Sequence, residues 1–382
     1  MQRISSAAYA DSKPHYELLD GLRGVAALLV ICYHIFEGFA TSPIDQRFNH
    51  GYLAVDFFFL LSGFVIGYAY DDRWKRGMRC RDFIRRRLIR LHPMVILGAV
   101  FGAAAFWLQG SVRWDGTPVS AGMLLLALLC GMVLLPVWPD AGHEVRGNGE
   151  MYPLNGPSWS LFFEYLGNLL YAFLLRRLPT RPLALVVVLS GSALTLFAVC
   201  DLSGYGHLGV GWTLADYNLP GGLLRMLFSF SAGMLLSRRF RPMHIRGAFW
   251  LCSLALALLL AMPYAGSEGN HLSNAIYDSV CVLLLFPLLL WLGASGRATD
   301  RTTARICRFL GDISYPVYIV HYPSMYLFYA WVWKHGYTFA QAWPAAAALV
   351  AGNIVLAWCC LKFYDEPLRR WLTARFLTSH ER

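Results

Sequence analysis

The chain has 382 residues, of which 57% are hydrophobic and only 15% are charged, and its mean hydropathy is +0.45. Soluble domains usually carry about 25% charged residues, so this composition excludes a water-soluble globule and predicts a multi-pass membrane protein. The net charge of +10 does not indicate nucleic-acid binding, because Lys and Arg cluster between apolar runs, as topology signals do.

Eleven apolar windows follow one another along the chain, each with no charge or one isolated charge, and each is a candidate membrane span. They lie near residues 18–37, 51–70, 93–112, 117–138, 159–175, 183–200, 217–237, 247–264, 274–293, 313–333 and 341–361. The intervening basic clusters are expected on the cytoplasmic side. Successive spans cross the membrane in opposite directions, so an even number of spans should separate two cytoplasmic clusters. Three windows lie between Arg90 and Arg176. One of the segments 93–112, 117–138 and 159–175 is therefore predicted to be re-entrant or partial.

The predicted fold is an all-α polytopic helical bundle with about ten transmembrane spans and one partial segment. Residues 18–370 form one membrane domain, and the tails 1–17 and 371–382 lie in the cytoplasm. The nine cysteines contain no CxxC pair and lie mostly in apolar stretches. Neither a disulfide framework nor a metal site is indicated.

The first window contains two ionisable residues, Arg23 and His34. Eleven residues on an α-helix return to within about 20° of the same face and rise ~16 Å. Both side chains therefore line one side of one helix, and ionisable groups inside spans are functional by default. The alternative is an arginine that reaches the membrane surface and a hydrogen-bonded core histidine.

The second window adds Asp56, at about the depth of His34 if Gly38 and Gly51 mark the outer boundary. A carboxylate beside the imidazole would fix its tautomer and raise its basicity, as a general base requires. The alternative is that Asp56 pairs with another polar group only to satisfy its own charge. Arg225, alone in its window, is expected to pair with a buried carboxylate.

The loop after the second window carries nine Lys and Arg residues between positions 73 and 90. Arg86, Arg87 and Arg90 lie at helical spacing, so their planar guanidinium groups could bind phosphates at the mouth of the bundle. The alternative is a patch that binds lipid headgroups and fixes topology.

Six motifs occur in order along the chain and carry a family resemblance. They are Arg23-x10-His34, Val55-Asp56-Phe57-Phe58-Phe59-Leu60-Leu61-Ser62-Gly63-Phe64, Arg87-x-x-Arg90-Leu91-x-Pro93, Trp159-Ser160-Leu161-x-x-Glu164, Gly311-x-x-Ser314-Tyr315-Pro316-x-Tyr318-x-x-His321 and Glu366-Pro367. The chain resembles the acyltransferase-3 family of bacterial integral-membrane acyltransferases from about Leu18 to Arg370.

This resemblance implies a cytoplasmic acyl-CoA donor, usually acetyl-CoA, and an acceptor hydroxyl on an extracytoplasmic carbohydrate such as a surface polysaccharide. It also implies a place in the bacterial inner membrane. His34 corresponds to the catalytic histidine, Arg23 to its essential companion, and Arg87 and Arg90 to donor-binding residues. His34 either deprotonates the hydroxyl or takes the acyl group itself.

The remaining motif residues are weaker candidates. Glu164 is kept as a catalytic candidate, although Tyr165 follows it where many family members have a second Glu. Ser314, Tyr315 and His321 begin the tenth span and are assigned to the donor path. A hydrogen-bonded core histidine is the alternative for His321.

Two other functions fit the same features. A transporter or flippase for a polar or lipid-linked solute could use intramembrane Arg, His and Asp. It would often show a two-fold internal repeat, and none is found. The second alternative keeps the acyl transfer but directs it to a small metabolite or a lipid. The expected partners are acyl-CoA, the carbohydrate acceptor and the lipid bilayer.

Overall fold

The computed structural model describes residues 15–267, 269–298 and 300–377, so the ends of both predicted tails lie outside the described residues. Within these ranges the chain forms thirteen α-helices and no β-strand, which confirms the predicted all-α class. The helices are α1 Glu17–Glu37, α2 Ala54–Lys75, α3 Cys80–Leu108, α4 Ala121–Met132, α5 Ser158–Phe173, α6 Thr180–Val199, α7 Asn218–Arg239, α8 Ala248–Ala261, α9 Leu272–Val280, α10 Phe286–Ser295, α11 Arg301–His335, α12 Phe339–Cys360 and α13 Glu366–Phe376.

Each apolar window of the sequence coincides with a helical segment. In the described part of the chain, seven segments are long and apolar enough to cross a membrane: Glu17–Glu37, His50–Lys75, Cys80–Leu108, Thr180–Val199, Asn218–Arg239, Leu272–Ser295 and Phe339–Phe376. Helices α4, α5 and α8 are shorter, and α11 carries more charge. The multi-pass membrane fold is confirmed, and the total of ten spans stays a prediction.

Helix α4 is the segment that best fits the predicted partial span. It has 12 residues and rises ~18 Å, well short of the ~30 Å hydrocarbon core. The segments before and after α4 both hydrogen-bond to residues 146–151. The Trp114 amide donates to the Arg146 carbonyl at 3.0 Å, and the Val137 amide donates to the Met151 carbonyl at 2.9 Å. The chain therefore enters and leaves α4 near the same loop, as a re-entrant segment would, and its position relative to the membrane stays a prediction.

Two helical segments contain a π turn just before a proline. Residues Cys281–Leu285 join α9 to α10, with Pro287 next, and residues Leu361–Asp365 join α12 to α13, with Pro367 next. Proline lacks an amide hydrogen and collides with the carbonyl four residues earlier. The wider π turn relieves that collision and lets the helix continue.

Glycines allow two helix pairs to cross closely. A Cβ added at Gly63 of α2 would overlap the Phe230 carbonyl of α7, and one at Gly233 of α7 would overlap the Leu60 carbonyl of α2. Gly24 of α1 meets Leu310 of α11 in the same way. These crossings bring the polar residues of α1, α2, α7 and α11 into one interior.

Large apolar side chains cover the outside of the bundle. On α6, Leu185, Val188, Leu189 and Leu196 are each more than half exposed. Soluble monomers rarely expose apolar side chains along the whole length of a helix, so this surface fits a lipid environment.

One end of the bundle is covered by the loops 133–157 and 200–217, which bond to each other where the Met151 amide donates to the Trp212 carbonyl at 2.9 Å. We call this the outer end. The opposite end, where α1 begins and the basic residues precede α3, is called the inner end.

Candidate active site

Three cavities adjoin one another between the two ends of the bundle. The outer cavity, with a volume of about 460 Å³, has His34 and Glu37 in its wall. The middle cavity has about 90 Å³ and the inner cavity about 370 Å³. Val55 and Tyr318 line both the outer and the middle cavity. The residues shared by the middle and inner cavities are Arg23, Arg90, Ser314 and Tyr315.

His34 and Glu37 form a close pair on the last turn of α1. Nδ1 of His34 lies 2.7 Å from Oε2 of Glu37, and residues three apart on a helix are neighbours. The Tyr329 hydroxyl lies 3.0 Å from the same carboxylate oxygen and 2.6 Å from the His34 carbonyl oxygen. Because a carboxylate only accepts, the imidazole proton lies on Nδ1 and Nε2 is left as an acceptor.

Arg23 and His34 face the same interior path, as their spacing predicts. Arg23 lines the inner and middle cavities, and Val30, between the two on α1, lines the outer cavity with His34. Nη1 of Arg23 donates to Oδ1 of Asp20 at 3.1 Å. The arginine therefore points into the bundle, and its role in the reaction stays a prediction.

The predicted pairing of Asp56 with His34 is wrong. Asp56 is buried and pairs with Arg225, whose Nη2 donates to its Oδ2 at 2.6 Å. Arg225 Nε also donates to this carboxylate at 3.1 Å and 3.2 Å. Asp56 lines none of the three cavities, so it satisfies a buried charge, which was the alternative interpretation. The expected pairing of Arg225 with a buried carboxylate is confirmed.

Arg87 and Glu164 form an ion pair in the wall of the middle cavity. Arg87 Nη2 donates to Glu164 Oε1 at 2.7 Å, and the Ser62 hydroxyl donates to the same oxygen at 3.0 Å. The Glu164 side chain thus lies beside Arg87 and in a different cavity from His34. This position does not support its expected place in the catalytic set.

Arg86, Arg87 and Arg90 do not act as one phosphate-binding group in this structure. Arg90 is exposed to the middle and inner cavities and forms no hydrogen bond or ion pair with the described residues. Arg87 is held by Glu164, and Arg86 lines none of the three cavities. Of the three, Arg90 is the guanidinium that remains available to an anionic ligand.

Ser314 and Tyr315 line the middle and inner cavities, as expected, whereas His321 lines none of the three cavities. The Ser314 hydroxyl donates to the Gly311 carbonyl at 2.8 Å, and the Tyr315 hydroxyl to the Leu91 carbonyl at 2.6 Å. His321 is buried, lines none of the three cavities, and stacks on the His34 ring with centroids 5.6 Å apart. The assignment of His321 to the donor path is wrong, and the core-histidine alternative is observed.

The ring of His321 packs behind the ring of His34. Its Nδ1 lies 3.0 Å from the Tyr318 carbonyl and 3.1 Å from the Val317 carbonyl, so Nδ1 carries the proton. Its Nε2 is buried and has no hydrogen-bond partner in the described part of the chain.

Glu37 is a candidate site residue that the sequence interpretation missed. A carboxylate three residues after the histidine was visible as His34-Ile35-Phe36-Glu37, and helical neighbours at this spacing interact. The loop residues Glu150 and Arg146 had no comparable signal, because the contacts that fix their positions, with Tyr326 and Gln109, join residues far apart in the chain.

Burial changes the charge of two loop residues at the outer cavity. Desolvation raises the pKa of the Glu150 carboxyl to about 7, and its oxygens accept hydrogen bonds from Tyr326 and Asn148. Burial lowers the pKa of His207 to about 4, with Arg225 adding a smaller effect. His207 is therefore neutral at physiological pH.

The profile of the acyltransferase-3 family, described as an acyltransferase domain, matches residues 16–362. The chain belongs to the acyltransferase-3 family. This membership makes it a membrane acyltransferase, and the match covers every helix that lines the outer and middle cavities; the inner cavity is also lined by Glu366 and Arg369 of α13, beyond the match.

Several known proteins are similar to this family member. The acyltransferase MdmB of Streptomyces mycarofaciens is 28% identical over 94% of this chain and 92% of its own length. The exopolysaccharide production protein ExoZ of Rhizobium meliloti is 25% identical over 89% and 96%. The peptidoglycan O-acetyltransferase OatA of Listeria monocytogenes is 33% identical over 22% of this chain and 12% of its own length. No solved structure matches the chain.

Proposed function

We propose that the protein is an O-acyltransferase of the bacterial inner membrane that moves an acetyl group from cytoplasmic acetyl-CoA to a hydroxyl of an extracytoplasmic carbohydrate. The observation that carries this proposal is the path of three adjoining cavities, with Arg90 near one end and the His34–Glu37 pair at the other. The names of ExoZ and OatA, which refer to an exopolysaccharide and to peptidoglycan, favour a carbohydrate acceptor.

The basic residues support the direction of transfer. Clusters at 73–90, 238–246, 297–308 and 369–375 lie at the inner end, and Lys and Arg are enriched in cytoplasmic loops. The inner cavity then opens towards the cytoplasm and the outer cavity towards the acceptor. Both termini lie on the cytoplasmic side.

Arg90 is the proposed contact for the phosphates of acetyl-CoA. It is exposed to the inner cavity, and a guanidinium binds phosphate through two parallel hydrogen bonds. Arg23 lies at the same boundary between inner and middle cavities. From there the acyl arm points through the middle cavity towards His34.

The middle cavity is the narrow part of the path, with about 90 Å³. Tyr318 separates it from the outer cavity, and its hydroxyl lies 2.7 Å from the Ser160 hydroxyl. A pantetheine arm needs more room, so Tyr318 has to move before the thioester reaches His34. Keeping this passage closed without donor also limits hydrolysis of the thioester by water.

In direct transfer, Nε2 of His34 removes the proton of the acceptor hydroxyl. The hydroxyl oxygen attacks the thioester carbonyl, the new C–O bond forms and the C–S bond breaks. The proton then passes from His34 to the leaving thiolate, giving an O-acetyl ester and CoA. Glu37, bonded to Nδ1, stabilises the imidazolium that exists between the two proton transfers.

In the two-step alternative, Nε2 attacks the thioester carbonyl, the new N–C bond forms, the C–S bond breaks, and CoA leaves as the thiolate, which takes a proton from water. The acceptor hydroxyl then attacks the acyl-histidine from the outer side, the N–C bond breaks, and the hydroxyl proton passes to water. Glu37 serves both routes, because it keeps the proton on Nδ1. An acyl-enzyme trapped by rapid quenching in the absence of acceptor separates the two.

The test uses purified protein in nanodiscs, labelled acetyl-CoA and a mixture of oligosaccharide acceptors. We expect acceptor-dependent release of CoA and labelled oligosaccharide. His34→Ala should lower the rate by at least about 100-fold, whereas His244→Ala, in an exposed loop, should not change it. Normal turnover by His34→Ala would remove His34 from the chemistry. A protein that does not bind acetyl-CoA would refute the enzyme and favour a transporter.

A further inference from the structure

Aromatic side chains form much of the outer cavity wall. The Trp114 and Trp333 rings pack edge to face with centroids 5.0 Å apart, and the Tyr322 and Tyr326 rings do so at 4.6 Å. Aromatic faces carry negative charge density. They therefore attract the positively polarised C–H faces of a sugar ring and exclude water from it.

This aromatic wall is held rigidly from behind. The buried Arg146 guanidinium lies 3.7 Å from the Tyr326 ring centroid and 5.1 Å from that of Trp114, and Arg146 does not line the outer cavity. Its Nε donates to the Pro153 carbonyl at 3.0 Å. Trp333 is fixed separately, since its Nε1 donates to the Gly38 carbonyl at 2.9 Å. Rings that are already ordered lose little entropy when a ligand binds.

Polar groups stand beside these rings. The Glu150 carboxyl and the Asn148 amide line the cavity, 2.9 Å apart. Asn49 also lines it, and its Oδ1 is buried without a hydrogen-bond partner among the described residues. A buried acceptor without a partner is costly unless a ligand or water supplies a donor. Hydroxyl groups can supply donors to both Asn49 and Glu150.

The charged groups of the outer cavity leave no cation for an anionic ligand. Among the described lining residues, Arg225 is engaged by Asp56 and by the carbonyls of Val210 and Tyr52. His34 is engaged by Glu37. The neutral state of His207, reached because burial lowers its pKa to about 4, leaves carboxylates as the charges that face the cavity.

We infer that the outer cavity selects a sugar residue of the acceptor that carries no negative charge, whose ring packs on Trp114 and Trp333 and whose hydroxyls bond to Glu150 and Asn49. This inference rests on the proposed transfer to a carbohydrate and specifies its acceptor. The volume of about 460 Å³ lies within the range of small-molecule sites. A uronic acid would place an unpaired carboxylate beside the Glu37 carboxylate and the partly ionised Glu150, and like charges in one site repel.

The experiment compares three β-1,4-linked tetrasaccharides that differ in charge. Cellotetraose is uncharged, the mannuronate tetramer is anionic and the glucosamine tetramer is cationic. Binding to the protein in nanodiscs is followed by saturation-transfer NMR, without acyl donor. We expect cellotetraose to bind at least about tenfold more tightly than the mannuronate tetramer. Because carboxylates face the cavity, the glucosamine tetramer should also bind more tightly than the mannuronate tetramer. Equal or tighter binding of the mannuronate tetramer overturns the inference.

Two variants test the named residues. Trp333→Leu should weaken cellotetraose binding by about tenfold, whereas Trp107→Leu, which removes an exposed tryptophan outside the three cavities, should not. Asn148→Lys introduces a cation into the wall, because Asn148 is exposed there. It should raise affinity for the mannuronate tetramer by up to about fivefold. If both variants bind the tetramers as tightly as the parent protein does, the assignment of the sugar site to this aromatic wall is overturned.

The proposed acetyl transfer and the inferred selectivity for the acceptor can be contradicted separately. Each variant is checked for acetyl-CoA binding at the inner end, which reports folding independently of the outer cavity. If cellotetraose binds as expected but no acetyl-CoA is consumed, the proposed reaction fails and the sugar site stands. If acetyl transfer occurs but prefers the anionic tetramer, the reaction stands and the inferred selectivity fails. If none of the tetramers binds to a protein that still binds acetyl-CoA, the inference is overturned.

Discussion

The Glu37 carboxylate lies one turn beyond His34 on α1, with Oε2 2.7 Å from the imidazole Nδ1. Both side chains come from one helix, so their relative position does not depend on how α1 packs against its neighbours. Tyr329 of α11 fixes the carboxylate from the other side. A base held in this way is oriented before the substrate arrives.

Replacing Glu37 by Gln should slow the reaction without weakening donor binding. The amide oxygen still accepts the Nδ1 proton, but the negative charge that stabilises the imidazolium is lost. We expect kcat to fall by roughly tenfold to a thousandfold, with the Kd for acetyl-CoA unchanged. Asp216→Asn, in an exposed loop, is the matched control. A kcat equal to that of the parent would show that Glu37 does not act through His34.

Replacing Arg90 by Lys should weaken acetyl-CoA binding although the charge is kept. Lysine cannot form the two parallel hydrogen bonds of a guanidinium, and a hydrogen bond to a charged group contributes about 1.5 to 3 kcal/mol. The Kd measured by calorimetry should therefore rise about tenfold or more.

Arg81→Lys is the control for this measurement, because Arg81 is exposed, belongs to the same basic segment and lines none of the three cavities. Parent-like binding by the Arg90 variant would move the donor site elsewhere. The basic segment would then serve membrane topology alone.

Replacing Asp56 by Ala should act on stability and not on chemistry. It leaves the Arg225 guanidinium buried without its carboxylate, and breaking a buried ion pair costs about 3 to 5 kcal/mol. We expect a lower Tm in detergent and a near-normal rate per folded molecule. The Asp56→Ala, Arg225→Met double variant should lose less stability than the two single variants summed. A slow enzyme with an unchanged Tm would return Asp56 to the mechanism.

Replacing Glu150 by Gln should change how stability depends on pH. Burial raises the pKa of this carboxyl from 4.5 to about 7, so between these values the folded protein binds more protons than the unfolded chain. The parent should therefore lose stability as pH rises from 4.5 to 7, by roughly 3 kcal/mol from this group. Glu150→Gln should flatten this part of the curve of Tm against pH. A parallel curve would show that Glu150 does not titrate in this range.

Local helix geometry made part of the site predictable. Arg23 and His34 share a face because eleven residues nearly complete three turns, and the structure places both on the cavity path. The contact of Glu37 with His34 was predictable for the same reason, because the two residues lie within one turn of each other on α1. Asp56 was predicted instead, because its depth in the membrane matches that of His34; its side chain nevertheless faces Arg225 of α7, and depth alone does not determine the direction of a side chain.

The sequence by itself determined the membrane class, the all-α fold, the family and the order of polar residues along each helix, because these depend on composition, hydropathy and local periodicity. Only the tertiary structure decided which helix faces meet. Between Asp56 and Asp71, apolar residues lie on every side of helix α2, so no polar stripe on it shows which neighbour Asp56 will meet. The pairs Asp56–Arg225 and Arg87–Glu164 join residues 169 and 77 positions apart, and such contacts depend on close helix crossings that no single helix encodes.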